Sequence, residues 1–242
     1  MISAVIPVYN EASCLPHAFE AMSAVLADVA GDDWEIVLVD DGSTDGTANA
    51  IEALCRQHPK RVRSASHAEN RGKGAAVRTG VLASRGDLVL FCDADMSTPP
   101  ETLASFVQAT EQGADVVVGN RKSGEAVIER WQPPVRTWLG LGFTRLANAM
   151  TGLSISDYTC GFKLFRGDQA RAIFEATEAS RWSFDVEILA RAARMGLELR
   201  EIPVRWHHEA DTRVRVLRDV ISSFRELVAI RRRLGRTPPH GP

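Results

Sequence analysis

The sequence predicts an α/β protein: an open, mostly parallel, twisted sheet with helices on both faces, followed by a C-terminal amphipathic helix. Three observations predict it. Over the first ~120 residues short β-branched runs alternate with helix-period segments, the signature of βαβ units. Neither an internal repeat nor a linker interrupts the 242 residues, so a single α/β domain is the economical reading. Two groups of carboxylates also fall directly after strand-like runs, where open parallel sheets bind ligands.

The elements follow in order. Ile2–Pro7 reads as the first strand, and Met1 enters it without the basic and long apolar regions of a signal peptide. Leu15, Phe19, Met22, Leu26 and Val29 recur at helical spacing. Glu35–Val39 is the second strand, and Ser43–Thr47 supplies cap residues for the next helix. Strands at Arg61–Ala65, Leu88–Cys92 and Asp115–Val118 then alternate with helices at Gly74–Ser84 and Pro100–Gly113. Lys122–Pro134, with its Gly, Pro and mixed charges, reads as a mobile loop. An apolar, small-residue segment spans Trp138–Ile155, a strand spans Leu199–Trp206, and a basic amphipathic helix runs from Val214 to Leu234. This divides the chain into a catalytic-type domain over 1–212 and a helix and tail over 213–242.

Composition excludes several classes. With 45% hydrophobic and 25% charged residues and a net charge of −2, nothing global attracts nucleic acid. Cys14, Cys55, Cys92 and Cys160 lie far apart, without the paired spacing of a zinc or redox site, and read as reduced thiols. No apolar run reaches the ~20 residues that span a bilayer. The expected location is cytoplasmic, or peripheral at the cytoplasmic face of a membrane.

The acids carry the chemistry. Asp40-Asp41 follows Glu35–Val39, and Asp93-Ala94-Asp95 follows Leu88–Cys92, so both groups are expected at one crevice. Asp93 and Asp95 can turn toward one hard cation, Mg2+ or Mn2+, which suits a diphosphate leaving group. An isolated Asp-x-Asp is also compatible with a solvated turn. Asn70–Ala76 brings two glycines and Lys73 to a helix start, an arrangement suited to an anion. It lacks the first glycine and the Ser/Thr of a Walker loop. Val8-Tyr9-Asn10-Glu11 stands where a dinucleotide fold carries its glycines.

Taken in order, Val5–Glu11, Val39–Thr47, Asn70–Ala76, Asp93–Asp95, Gly119–Arg121 and Asp157–Phe162 resemble family 2 glycosyltransferases, and among them the dolichyl- or polyprenyl-phosphate sugar synthases. The resemblance implies a GT-A fold. It implies that Pro7, Tyr9, Glu11, Val39 and Asp41 hold the nucleoside, with Lys73, Asp93, Ala94 and Arg121 on the sugar nucleotide. Asp93 and Asp95 match the metal motif, and Asp95, Arg121 and Asp157 are the expected catalytic residues. Arg213 stands where the family has a phosphate-binding lysine, and His207 where mannosyl members have an arginine. Asp95–Pro100 is closer to glucosyl-type members. UDP-glucose is the favoured donor and a lipid phosphate the favoured acceptor, with GDP-mannose, a hydroxyl acceptor, or a nucleotide-sugar-binding protein without activity as alternatives.

A hydroxyl acceptor needs a general base, for which Asp157 and Asp185 are the acids to inspect, whereas a phosphate acceptor is already anionic. Asp185 reads equally well as a helix-start acid. Arg130 and Arg136 are expected on the acceptor phosphate, with Trp131, Trp138, Leu139, Leu141 and Phe143 beside them. The terminal helix carries Leu217, Val220, Ile221, Phe224, Leu227 and Val228 on one face, compatible with an anionic membrane surface or with packing on the core.

Overall fold

The computed structural model describes residues 1–123, 134–181, 183–206 and 226–235, with backbone alone for 134–139. Nine of its elements alternate in the βαβ manner: β1 (Ile2–Val8), α1 (Leu15–Ala30), β2 (Trp34–Asp40), α2 (Thr47–Gln57), β3 (Val62–Ser66), α3 (Lys73–Ala83), β4 (Leu88–Cys92), α4 (Leu103–Glu111) and β5 (Val116–Asn120). After them come α5 (Pro134–Thr151), β6 (Phe162–Arg166), α6 (Gly167–Ala176), α7 (Phe184–Arg194) and β7 (Leu199–Pro203). A last helix, α8, covers 226–235.

Seven strands of the described residues form one sheet in the order β3-β2-β1-β4-β6-β5-β7. β6 runs antiparallel to both β4 and β5, and the remaining pairs are parallel. Strand alternation divides the core between the two faces. On one side Ile2, Ala4, Ile6 and Val8 pack with Leu15, Met22 and Leu26 of α1 and Phe106 of α4. On the other, Val5, Val37 and Val39 pack with Val77 and Val81 of α3, Phe174 of α6 and Phe184 of α7.

The five strands expected in the first half are present. β6, α6 and α7 extend the plan, and α5 begins at Pro134, where the sequence suggested a loop ending. Leu227, Ile230 and Leu234 of α8 are buried in the same cluster as Val5, while Arg233 pairs with Glu178 at 3.0 Å. Over 226–235 the apolar face therefore lies against the protein, the core-packing alternative of the two expected for this helix. The rest of the expected helix, 214–225, lies outside the described residues. Among the described residues no helix is long and apolar enough to cross a membrane.

Candidate active site

The Asp-x-Asp motif sits where β4 ends, against the antiparallel strand that follows Gly161. Asp93 N–H donates to the Gly161 carbonyl at 3.2 Å. The Asp93 carboxylate lies so close to that backbone that a Cβ on residue 161 would stand 1.8 Å from Oδ2. Only glycine accommodates this approach. Asp95 Oδ1 accepts the Ser97 N–H at 2.9 Å, after a left-handed turn at Met96 with φ +50°. The Asp95 carboxyl is raised, first by the protein crowded around it and then by the charge of Asp93.

Lys73, the first residue of α3, answers these charges. Its Nζ is 2.5 Å from Asp93 Oδ1. Burial works against the ammonium, but Asp93, Asp185 and Asp95 together raise its pKa above the ordinary value. Two neighbouring carboxylates form a ligand pair for a divalent cation, for which the Lys73 ammonium competes at Asp93. Among the described residues no group of three His, Cys, Asp or Glu side chains gathers around one point. A cation here would take Asp93 and Asp95 and complete its oxygen shell from a ligand, as Mg2+ commonly does with phosphates.

The loops after β2 and β3 clasp each other beside this motif. Asp41, 3% exposed, accepts N–H bonds from Arg71 at 3.0 Å and Gly72 at 2.8 Å. His67 Nδ1 lies 2.6 Å from the same carboxylate, and its Nε2 3.0 Å from Thr79 Oγ1. Asp40 accepts the Ser43 N–H at 2.9 Å. A Cβ on Gly42, whose φ is +74°, would stand 2.4 Å from the Glu69 carbonyl carbon. Asp41, expected on the nucleoside, thus has its carboxylate turned onto its own loops, and Val39 beneath it is fully buried. Pro7 pairs with Val39 across the parallel ladder. Glu11 accepts the Cys14 thiol at 2.9 Å, and burial followed by that carboxylate pushes the thiol up to about 12.

Arg121 follows β5 and grips Asp157 with a two-point fork, Nε to Oδ2 at 2.7 Å and Nη2 to Oδ1 at 2.9 Å. It also reaches Thr159 Oγ1 at 2.9 Å and lies 5.5 Å from the centre of the Trp206 ring. Asp157 is fully buried. Burial alone would raise its carboxyl, yet Arg121, helped by Lys122, brings it down to about 2. The backbone of Ser156 and Asp157 is in turn held by the Glu201 carboxylate at 3.0 Å. Asp185 is equally committed: within the first turn of α7, it pairs at 2.5 Å with Lys163, whose side chain is fully buried. Its carboxyl is raised because burial outweighs the pull of Lys163 and Lys73.

The model of glycosyl transferase family 2 matches residues 3–174. The chain belongs to this glycosyltransferase family. The glycosyltransferase is 35% identical over 221 residues to the dolichyl-phosphate beta-glucosyltransferase ALG5C of Trichomonas vaginalis, covering 88% of this chain and 65% of that relative. It is 35% identical over 248 residues to the dolichyl-phosphate beta-glucosyltransferase of Saccharomyces cerevisiae, covering 95% and 74%. The chain thus spans about two thirds to three quarters of these relatives. The fold is also that of glucosyl-3-phosphoglycerate synthase from Mycobacterium tuberculosis, solved with Mn2+, UDP and glucosyl-3-phosphoglycerate. The TM-score is 0.67 at 21% identity, over 97% of this chain and 80% of that one.

Several expected contacts of the glycosyltransferase, Arg130, Trp131, His207 and Arg213, lie outside the described residues, and Arg136 and Trp138 are described by backbone alone. The structure brings Lys73, Asp93 and Asp185 together and locks the Asp157 carboxylate onto Arg121. Sequence reasoning missed His67, Lys163 and Glu201, and placed Gly161 only within the Asp157–Phe162 motif. A lysine amid the apolar run Phe162-Lys163-Leu164-Phe165 was the one available signal, since a buried ammonium demands an acid. His67 gave none.

Proposed function

We propose that this glycosyltransferase moves glucose from UDP-glucose to a polyprenyl or dolichyl phosphate, with inversion at the anomeric carbon. The observation that carries the reading is the state of the two acids that could have served as a base. Asp157 is held by Arg121 and Asp185 by Lys163. Such a site favours an acceptor oxygen that is already anionic. The two dolichyl-phosphate glucosyltransferase relatives described above support the donor and acceptor named here.

In this reading Asp93 and Asp95 would hold Mg2+ or Mn2+, which would supply charge neutralisation to a diphosphate leaving group. Lys73, at the start of α3, adds a second positive charge against the phosphates. Pro7, Tyr9 and Glu11 border the nucleoside, with the buried Val39 paired to Pro7 behind them, while Asp41 and His67 act by fixing the Asn70–Lys73 loop. Arg121, oriented by Asp157, faces the sugar nucleotide. Rate acceleration then comes from alignment and charge stabilisation.

The test is nucleoside diphosphate release by purified protein with Mg2+ or Mn2+, comparing UDP-glucose with GDP-mannose, with and without a short-chain polyprenyl phosphate. Lipid-stimulated release of UDP is the expected result. Lipid-stimulated release of GDP reassigns the donor, and release indifferent to lipid reassigns the acceptor.

A further inference from the structure

An open cavity of ≈ 400 Å³ lies between α5 and the Leu153–Ser156 turn, outside the Asp-x-Asp crevice. Its walls combine two chemistries. Lys122 and Arg145 supply positive charge, and Leu141, Leu153 and Ile155 supply an apolar side; no described lining residue is acidic. Lys122 Nζ donates to Thr144 Oγ1 at 2.8 Å and lies 3.9 Å from Asp157 Oδ1. Burial above all pushes the pKa of this ammonium down, with Asp157 opposing and Arg121 reinforcing the effect. An arriving anion would relieve that cost.

The cavity adjoins the reaction site through the chain itself. Lys122 directly follows Arg121, and Ser156, a lining residue, directly precedes Asp157. Arg121 in turn feels the charge of Asp93. We propose that this groove receives the phosphate and first isoprene units of the lipid acceptor, with Lys122 and Arg145 on the phosphate and Leu141, Leu153 and Ile155 along the chain. The inference rests on the lipid-phosphate reading above. The volume lies near the lower end of the roughly 300–1,000 Å³ of small-molecule pockets. It holds a head group and the start of a chain, and the remainder must leave along the apolar side.

The experiment uses the full chain with UDP-glucose and polyprenyl phosphates of short and long chain. A charge-assisted contact contributes about 1.5–3 kcal/mol, so Arg145→Glu and Lys122→Met should each raise the KM for either lipid phosphate by about 10- to 100-fold. In Arg145→Glu the KM for UDP-glucose should stay within twofold. Arg145 is exposed on α5, so its reversal leaves the fold intact, as a melting curve can verify. Leu141→Trp, which fills the apolar side, should raise the lipid KM without altering inhibition by glycerol 3-phosphate. Unchanged lipid KM in Arg145→Glu and Leu141→Trp, or equal rises in donor and lipid KM, overturns the groove. A wild-type protein indifferent to lipid phosphate overturns the underlying function and the groove with it, before any variant is made.

Discussion

In the parallel half of the sheet, β3-β2-β1-β4, three of the acids at the strand ends are held by main-chain N–H groups, and Asp93 is held by the Lys73 ammonium. Ser43 serves Asp40, Arg71 and Gly72 serve Asp41, and Ser97 serves Asp95. In the mixed half, β6-β5-β7, acids are held by buried cations: Asp157 by Arg121, Asp185 by Lys163, and Glu187 by Arg191 at 2.6 Å. The first arrangement pins loops while leaving Asp95 open to a ligand. The second fixes side chains against each other, and removing one member strands a charge in the interior. The halves should therefore fail differently when mutated, one in activity and the other in stability.

The largest expected effect lies on the parallel side. Asp95→Ala should reduce metal-dependent sugar transfer by about 10³-fold or more, on the scale of losing a key electrostatic contact, with an unchanged melting temperature. A variant that keeps its rate breaks the assignment of Asp95.

On the mixed side, Asp185→Ala leaves Lys163 unpaired and should cost about 3–5 kcal/mol of stability, read by denaturant unfolding. Replacing both partners, Asp185→Leu with Lys163→Met, should recover most of that loss. If the single variant is as stable as wild type, the contrast between the halves falls.

Gly161→Ala tests the seam between them. Its methyl must displace the Asp93 carboxylate by more than 1 Å, and misplacement on that scale costs about 10²-fold in rate. Kinetics with stability measured alongside will show which half bears the strain.

Acid titration offers a smaller effect. The Asp157 carboxyl is depressed to about 2 from a usual value near 3.9. The stabilisation it brings is present above about pH 4 and is lost as pH falls toward 2, amounting to about 2 kcal/mol. In Asp157→Asn this part of the pH dependence should vanish. Smallest of all, His67→Ala removes one bond from Asp41, which keeps two N–H donors, and should cost about 1 kcal/mol.

The parallel half was legible because its signals are local. Strand runs, helical spacing and acids at strand ends all lie within a few residues of one another, and β1 to β4 follow from them, as do the strands β5 and β7 of the other half. The mixed half depends on partners far apart in sequence. β6 carries a charged residue in the middle, and Lys163 is tolerable there only because Asp185 arrives from α7. Arg121 finds Asp157 across 36 residues. Spacing could nominate Asp93, Asp95 and Lys73 as neighbours in function. It could not reveal that Asp41 faces its own loops, since that depends on where Arg71 and Gly72 point their N–H groups.

The antiparallel insertion of β6 also orders events during synthesis. β4 and β5 emerge first, yet neither pairs with the other, because the strand between them begins only at Phe162. Until then the growing chain presents open strand edges, the kind of surface that recruits other chains. The closing of the sheet and the placing of Asp93 against Gly161 are one event. A nascent chain therefore has no finished Asp-x-Asp turn until its central seam is shut.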